Sequence, residues 1–155
     1  MKKLSAGLIL LVILASFQTA PSKKPAVHKA AAPVVKKAAA PAGTAMDRGK
    51  LIYTKRCLVC HQVDGGGVPH LNAPLDGASA VKGKDKAKLI GYVLKGFNDR
   101  VEIDGEYYSN NMAPLPDLSD QEIADVLTFV RNSWTNKASA VTAAEVKSVR
   151  AKTKK

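Results

Sequence analysis

Apolar residues fall into a few short periodic runs, and those runs mark out the folded part of the chain. The strongest is Ile123, Val126, Leu127 and Val130 at helical spacing, with Trp134 extending the stripe and Phe129 broadening it. Ser119 followed by Glu122 forms a capping box at its start, and Leu118 is placed to staple onto Ile123. A second stripe, Leu89, Ile90, Val93 and Leu94, predicts a helix over 84–95 that Gly96 ends. Leu51, Ile52 and Tyr53 give apolar surface to a first helix that begins near Asp47, which caps it or favourably charges its N-terminus, and runs into Cys57. Gly49 stands one turn before Tyr53 and allows close approach by another helix, for which the terminal stripe is the natural mate. Residues 101–108 alternate around Asp104-Gly105, a favourable two-residue hairpin turn. Residues 62–74 read as loop, because Gly65-Gly66-Gly67 cannot hold a helix cheaply. A weak helix over 141–150, capped by Thr142 with Glu145 in third position, precedes a Lys-rich end.

Outside these runs the composition changes character. Met1-Lys2-Lys3 followed by the apolar core LILLVILA is a secretory leader pattern over 1–20. Neither a cut after Ala20 nor one after Ser16 has an ideal small-x-small site, so the leader is a signal peptide or a signal anchor. Both outcomes place the rest outside the cytoplasm, periplasmic or otherwise extracytoplasmic, with membrane association through the N-terminus open. Residues 21–45 are almost wholly Pro, Ala, Val and Lys, a solvated tether whose lysines could also rest on anionic lipid or an acidic partner; His28 lies here and is not expected to be a ligand. The folded unit then spans 46–136, and 137–155 is a basic C-terminal extension.

Charge follows the same division. The chain carries a formal net charge of +11, yet residues 46–134 hold 11 Lys+Arg against 12 Asp+Glu. The surplus sits in the leader, tether and tail, so no basic recognition face is available and nucleic-acid binding is a poor inference. A unit of about 90 residues is marginal for a core made of side chains alone, and a large apolar cofactor would supply the missing burial.

Cys57-Leu58-Val59-Cys60-His61 carries the chemistry. Two thiols and an adjoining imidazole at that spacing read as covalent attachment of one c-type haem, with the sulfurs as thioethers and His61 reaching the iron. A thioredoxin-like dithiol would sit at the end of a buried strand, and none precedes this motif. A zinc site needing three or four thiolates is impossible with only two cysteines. A loop carbonyl should accept the second nitrogen of His61, with Pro74 the first candidate. His70 is expected to be an exposed loop residue. Of the methionines after the leader, Met46 sits outside the first helix start and too near the attachment site to cross the haem easily. Met112 lies in a nonhelical stretch before the capped terminal helix, and its soft sulfur suits haem iron as the second ligand. Asn110 or Asn111 could hydrogen-bond near that sulfur, and Tyr107 or Tyr108 could bond a propionate.

With these residues in place, 46–134 resembles the class I cytochrome c family, particularly its small bacterial mono-haem members. The resemblance implies an all-α fold of three to four helices around one covalent haem, with a small β-hairpin. In that family a glycine and an aromatic four apart cross the terminal helix, as Gly49 and Tyr53 are set to do against Val126, Phe129 and Val130. The proline whose carbonyl bonds the haem histidine matches Pro74, and the distal ligand matches Met112. Two departures stand out: Met112-Ala113-Pro114 where relatives often have Met-Pro, and Ala73-Pro74-Leu75 where many have Pro-Pro-Leu. The implied role is non-enzymatic electron transfer with His61/Met112 ligation between periplasmic or membrane partners such as a terminal oxidase, reductase or periplasmic dehydrogenase, as a monomer or complex subunit. Two alternatives stay open: a haem-bearing structural subunit of a respiratory or dehydrogenase complex, and a small-ligand or peroxide-reactive haem protein with a labile Met112.

Overall fold

The computed structural model describes residues 43–96, 98, 100–109 and 111–153. The leader, nearly all of the tether with His28, Asn110 and the last two lysines lie outside the described residues. Helix α1, Ala45–Arg56, is started by Thr44, whose hydroxyl accepts from the Asp47 amide at 3.2 Å while the Asp47 carboxylate accepts from the Thr44 amide at 3.0 Å. Asp47 is therefore the third residue of a capping box, and the cap lies three residues earlier than its position suggested. The earlier start also places Met46 inside α1.

α1 runs through Cys57 into a single turn, α2, Leu58–His61. A second short helix, α3 (Ser79–Lys82), is not foreshadowed by any apolar period; α4 follows at Lys86–Lys95. Asp85 accepts from the Lys88 amide at 3.0 Å, which moves the start of α4 two residues later than the apolar stripe alone suggests. Strands β1 (Val101–Ile103) and β2 (Glu106–Tyr108) pair antiparallel around Asp104-Gly105, both at positive φ as the expected turn requires. α5 is Asp120–Asn132, with the reciprocal Ser119–Glu122 capping bonds at 3.2 and 2.8 Å, and α6 is Ala143–Thr153. The architecture is all-helical with one small hairpin.

The α1–α5 crossing organises the rest. A Cβ built on Gly49 would lie 2.2 Å from the Asp125 carbonyl oxygen and 2.6 Å from Phe129 Cβ, so the two backbones touch there. Beside the contact, the Arg48 guanidinium grips the buried Asp125 carboxylate at 2.6 and 2.9 Å, and Gln121 donates to it at 2.9 Å. Tyr53 is buried and forms a ring cluster with Phe129 and Trp134, centroids 5.4 to 6.0 Å apart. Ile52 is only partly buried, and Leu51 turns outward, 54% exposed.

Ile123, Val126, Leu127 and Val130 of α5 and Leu89, Ile90, Val93 and Leu94 of α4 are all buried in one core, as their periodicity predicts. The segment after Asn136 joins that core: Val141 and Val146 are buried, and Lys86 donates to Glu145 at 2.9 Å and to the Ala140 carbonyl at 2.8 Å. Buried Arg131 reaches the carbonyls of Val81, Gly83 and Ser139, while Asn136 bonds the backbone of Leu75, Gly77 and Val130. Among the described residues, no buried side-chain nitrogen or oxygen lacks a partner.

Five carboxylates are held below their ordinary range, each chiefly by hydrogen bonds it accepts: Asp47 from Thr44, Asp76 from Thr135, Asp104 from Ser79, Asp117 from Arg56, and Glu145 from Thr142 and Lys86. A depressed folded value stabilises the fold fully above the unfolded value and loses that contribution as pH falls through the folded one. The thermal midpoint should therefore stay level from neutrality to about pH 5 and fall below about pH 4. A pH series of melting curves checks this; a midpoint that rises on acidification would contradict it.

Candidate functional site

Cys57 caps the end of α1, and the turn of α2 brings Cys60 and His61 to the same side, so all three line one cavity of about 250 Å³. Its walls are mostly apolar: Ala78, Val81, Leu89 and Val93 from one flank, Val126, Leu127 and Val130 from α5, with Ile103 of the hairpin contributing at an edge. Met112 lines the same cavity from the segment before α5. The four residues singled out from sequence for attachment and ligation are thus brought onto one apolar space.

Both sulfurs are free. Burial pushes the Cys57 thiol up to about 11, whereas Cys60 is exposed at the rim. His61 Nδ1 lies 2.9 Å from the Ala73 carbonyl oxygen. A carbonyl only accepts, so Nδ1 carries the proton, and burial disfavours the imidazolium by lowering the His61 pKa. Nε2 is then left with a free lone pair, the state a metal-ligating imidazole needs. The acceptor is Ala73 and not Pro74: the peptide plane before the proline turns its oxygen to the ring, and Pro74 instead lines the cavity.

The loop behind His61 is pinned by the aromatic cluster. Tyr53 Oη donates to the Gln62 carbonyl at 2.6 Å, and Trp134 Nε1 donates to the Val63 carbonyl at 3.0 Å. Gly65, at φ +72, presses on the Trp134 ring, and its carbonyl accepts from Leu75 at 2.7 Å and Asp76 at 3.0 Å. Tyr53 and Trp134, read from sequence as packing residues, therefore also fix where the attachment motif ends. His70 is exposed, 3.5 Å from Glu106, and does not line the cavity.

Other sequence expectations shift. Neither Tyr107 nor Tyr108 lines the cavity: Tyr107 lies against Arg100 and Glu102, and Tyr108 is buried elsewhere. Tyr92, Arg56 and Asn72 supply polar lining that no sequence pattern singled out. Arg56 is paired through both terminal nitrogens with Asp117 at 2.9 Å. Asn111 lines the cavity next to Met112; Asn110 lies outside the described residues. The residues fit an iron porphyrin by the chemistry of their donors: a neutral, oriented imidazole, a thioether and two thiols around an apolar space.

The sequence profile of the cytochrome c family matches residues 46–134. The cytochrome c subunit of a quinone-dependent alcohol dehydrogenase from Gluconacetobacter polyoxogenes is 38% identical over 116 residues, covering 69% of this chain and 23% of that protein. Cytochrome c-552 of Thermus thermophilus is 35% identical over 112 residues, covering 67% of this chain and 85% of that protein. The cytochrome c subunit of a gluconate 2-dehydrogenase from Pantoea cypripedii is 36% identical over 111 residues, 66% of this chain and 24% of that one. The chain thus spans about a quarter of the length of the dehydrogenase subunits it matches.

Proposed function

The chain belongs to the cytochrome c family, and on that premise we propose that it is the haem-bearing electron-transfer unit of a dehydrogenase-type complex, outside the cytoplasm. One haem would be joined through Cys57 and Cys60 and held axially by His61 and Met112. When bound, that group supplies one-electron exchange between ferric and ferrous iron. The protein's own contribution is structural and electrostatic. Ala73 fixes the His61 tautomer and raises its donor strength, the α4 and α5 side chains keep the surroundings low in polarity, and Cys60 at the rim marks the edge open to a partner.

The observation that carries this reading is the meeting of the CxxCH segment and Met112 on one apolar cavity with His61 Nδ1 already engaged. Met112→Ala tests the ligation. The oxidised protein should lose its sulfur-to-iron charge-transfer band, and its midpoint potential should fall by on the order of 100 mV or more. An unchanged band and potential would remove Met112 from the site.

Association with a dehydrogenase is supported by relatives that carry a similar region inside dehydrogenase subunits, although the c-552 relative is named without one. Among the described residues no helix is long and apolar enough to cross a membrane. Affinity capture from native membranes should bring down a dehydrogenase in fixed ratio. Recovery of the chain only as an unaccompanied monomer would favour a free carrier and leave the ligation untouched.

A further inference from the structure

Arg150 lies in α6, beyond the residues that the family profile covers, yet its guanidinium grips the segment that follows Met112. Nε donates to Asp120 Oδ1 at 2.7 Å, and the terminal nitrogens donate to the carbonyls of Pro116 at 2.9 Å and Leu118 at 2.5 Å. The side chain is 18% exposed, so the fork is largely withdrawn from solvent.

α4 holds the same segment from another side. The Leu115 amide donates to the Val93 carbonyl at 2.8 Å. Gly96, at φ +61, approaches so closely that a Cβ would lie 2.1 Å from the Met112 carbonyl oxygen and 2.8 Å from Pro114 N. Lys86 then ties α4 to α6 through Glu145, and to the chain just before α6 through the Ala140 carbonyl. The three pieces form a closed triangle with Met112 at one side. Residues 113–119 belong to no helix or strand, so these bonds set much of their position.

We propose that α6 is a brace for the Met112 segment and that Arg150 is a positioning residue, acting through Pro116, Leu118 and Asp120 to keep the Met112 sulfur on the cavity. The inference rests on the reading of Met112 as the distal ligand. Removing the fork frees the segment to drift, and a contact that acts on a site through intervening residues changes its energetics by roughly 2- to 30-fold.

The test uses the full haem-loaded chain as wild type, Arg150→Gln, Arg150→Lys and Lys152→Gln. The readouts are the sulfur-to-iron band, the rate at which cyanide binds the oxidised haem, and amide exchange over 112–119. Arg150→Gln should weaken the band, speed cyanide binding about tenfold and raise exchange. Arg150→Lys, which keeps the charge but not the fork, should fall between, and serves if the Gln variant fails to fold. Lys152→Gln removes an equal charge from an exposed position of α6 and should change none of the three. A wild-type band with cyanide rate and exchange unmoved in the Arg150 variants, even with a lowered melting point, overturns the brace alone. No band in wild type overturns the ligation reading and the brace together.

Discussion

Alanine at Gly49 should destabilise the folded domain by about 3 kcal/mol or more, for a single added methyl group. The reason is what the methyl meets. Its carbon would lie 2.2 Å from a backbone oxygen of Asp125, and a backbone atom inside a capped helix cannot rotate aside. Relief requires α1 and α5 to separate, which draws Arg48 from Asp125 and loosens Tyr53 within its ring cluster. The loss should appear as a thermal midpoint lowered by at least about 12 °C in a domain of this size. Denaturant titration of the haem-loaded variant measures it; a loss under about 1 kcal/mol would mean that the helices do not touch at this point.

Serine at both Cys57 and Cys60 should abolish covalent attachment, leaving polypeptide of unmodified mass after acidic organic extraction. A hydroxyl does not replace a thiol as the attaching group, although His61 would still offer Nε2 to the iron. Single variants separate the two positions. Cys57 is half-buried and Cys60 exposed, so serine at 60 leaves the inner link and a mass increase of one haem. Serine at 57 leaves a link only at the rim, where cofactor orientation is held less firmly. Mass spectrometry of denatured protein decides the matter, and haem that survives extraction in the double variant would exclude thioethers.

Much of this was legible in the residues because several signals agreed at the same positions. The 119–122 capping box, the α4 and α5 stripes and the Asp104-Gly105 turn each combine a local backbone preference with a matching apolar pattern. The attachment motif is contiguous, so its geometry follows once α1 and α2 form. What stayed hidden depends on backbone orientation or on long-range polar contacts. Thr44 and Asp47 are both good capping types, and only the fold shows which caps. The difference between the carbonyls of Ala73 and Pro74 is the turn of one peptide plane, which no side chain announces. Arg131 and Asn136 lie at and just past the end of the terminal apolar helix and Arg150 in what reads as a basic tail, yet each is tied to backbone groups far along the chain. Hydrophobic periodicity cannot identify such residues, because what they satisfy is another segment's carbonyl.

The Arg48–Asp125 pair joins residues 77 positions apart, and Cys57, Cys60, His61 and Met112 all lie between them. In polymer terms the pair is a clasp that makes the chain carrying these four residues one large ring. The entropy of closing such a ring grows only with the logarithm of its circumference, so ten extra residues in an intervening surface loop would cost about 0.1 kcal/mol. Kinship among chains of this kind can therefore tolerate wide variation in the length of the ring while the clasp itself stays fixed.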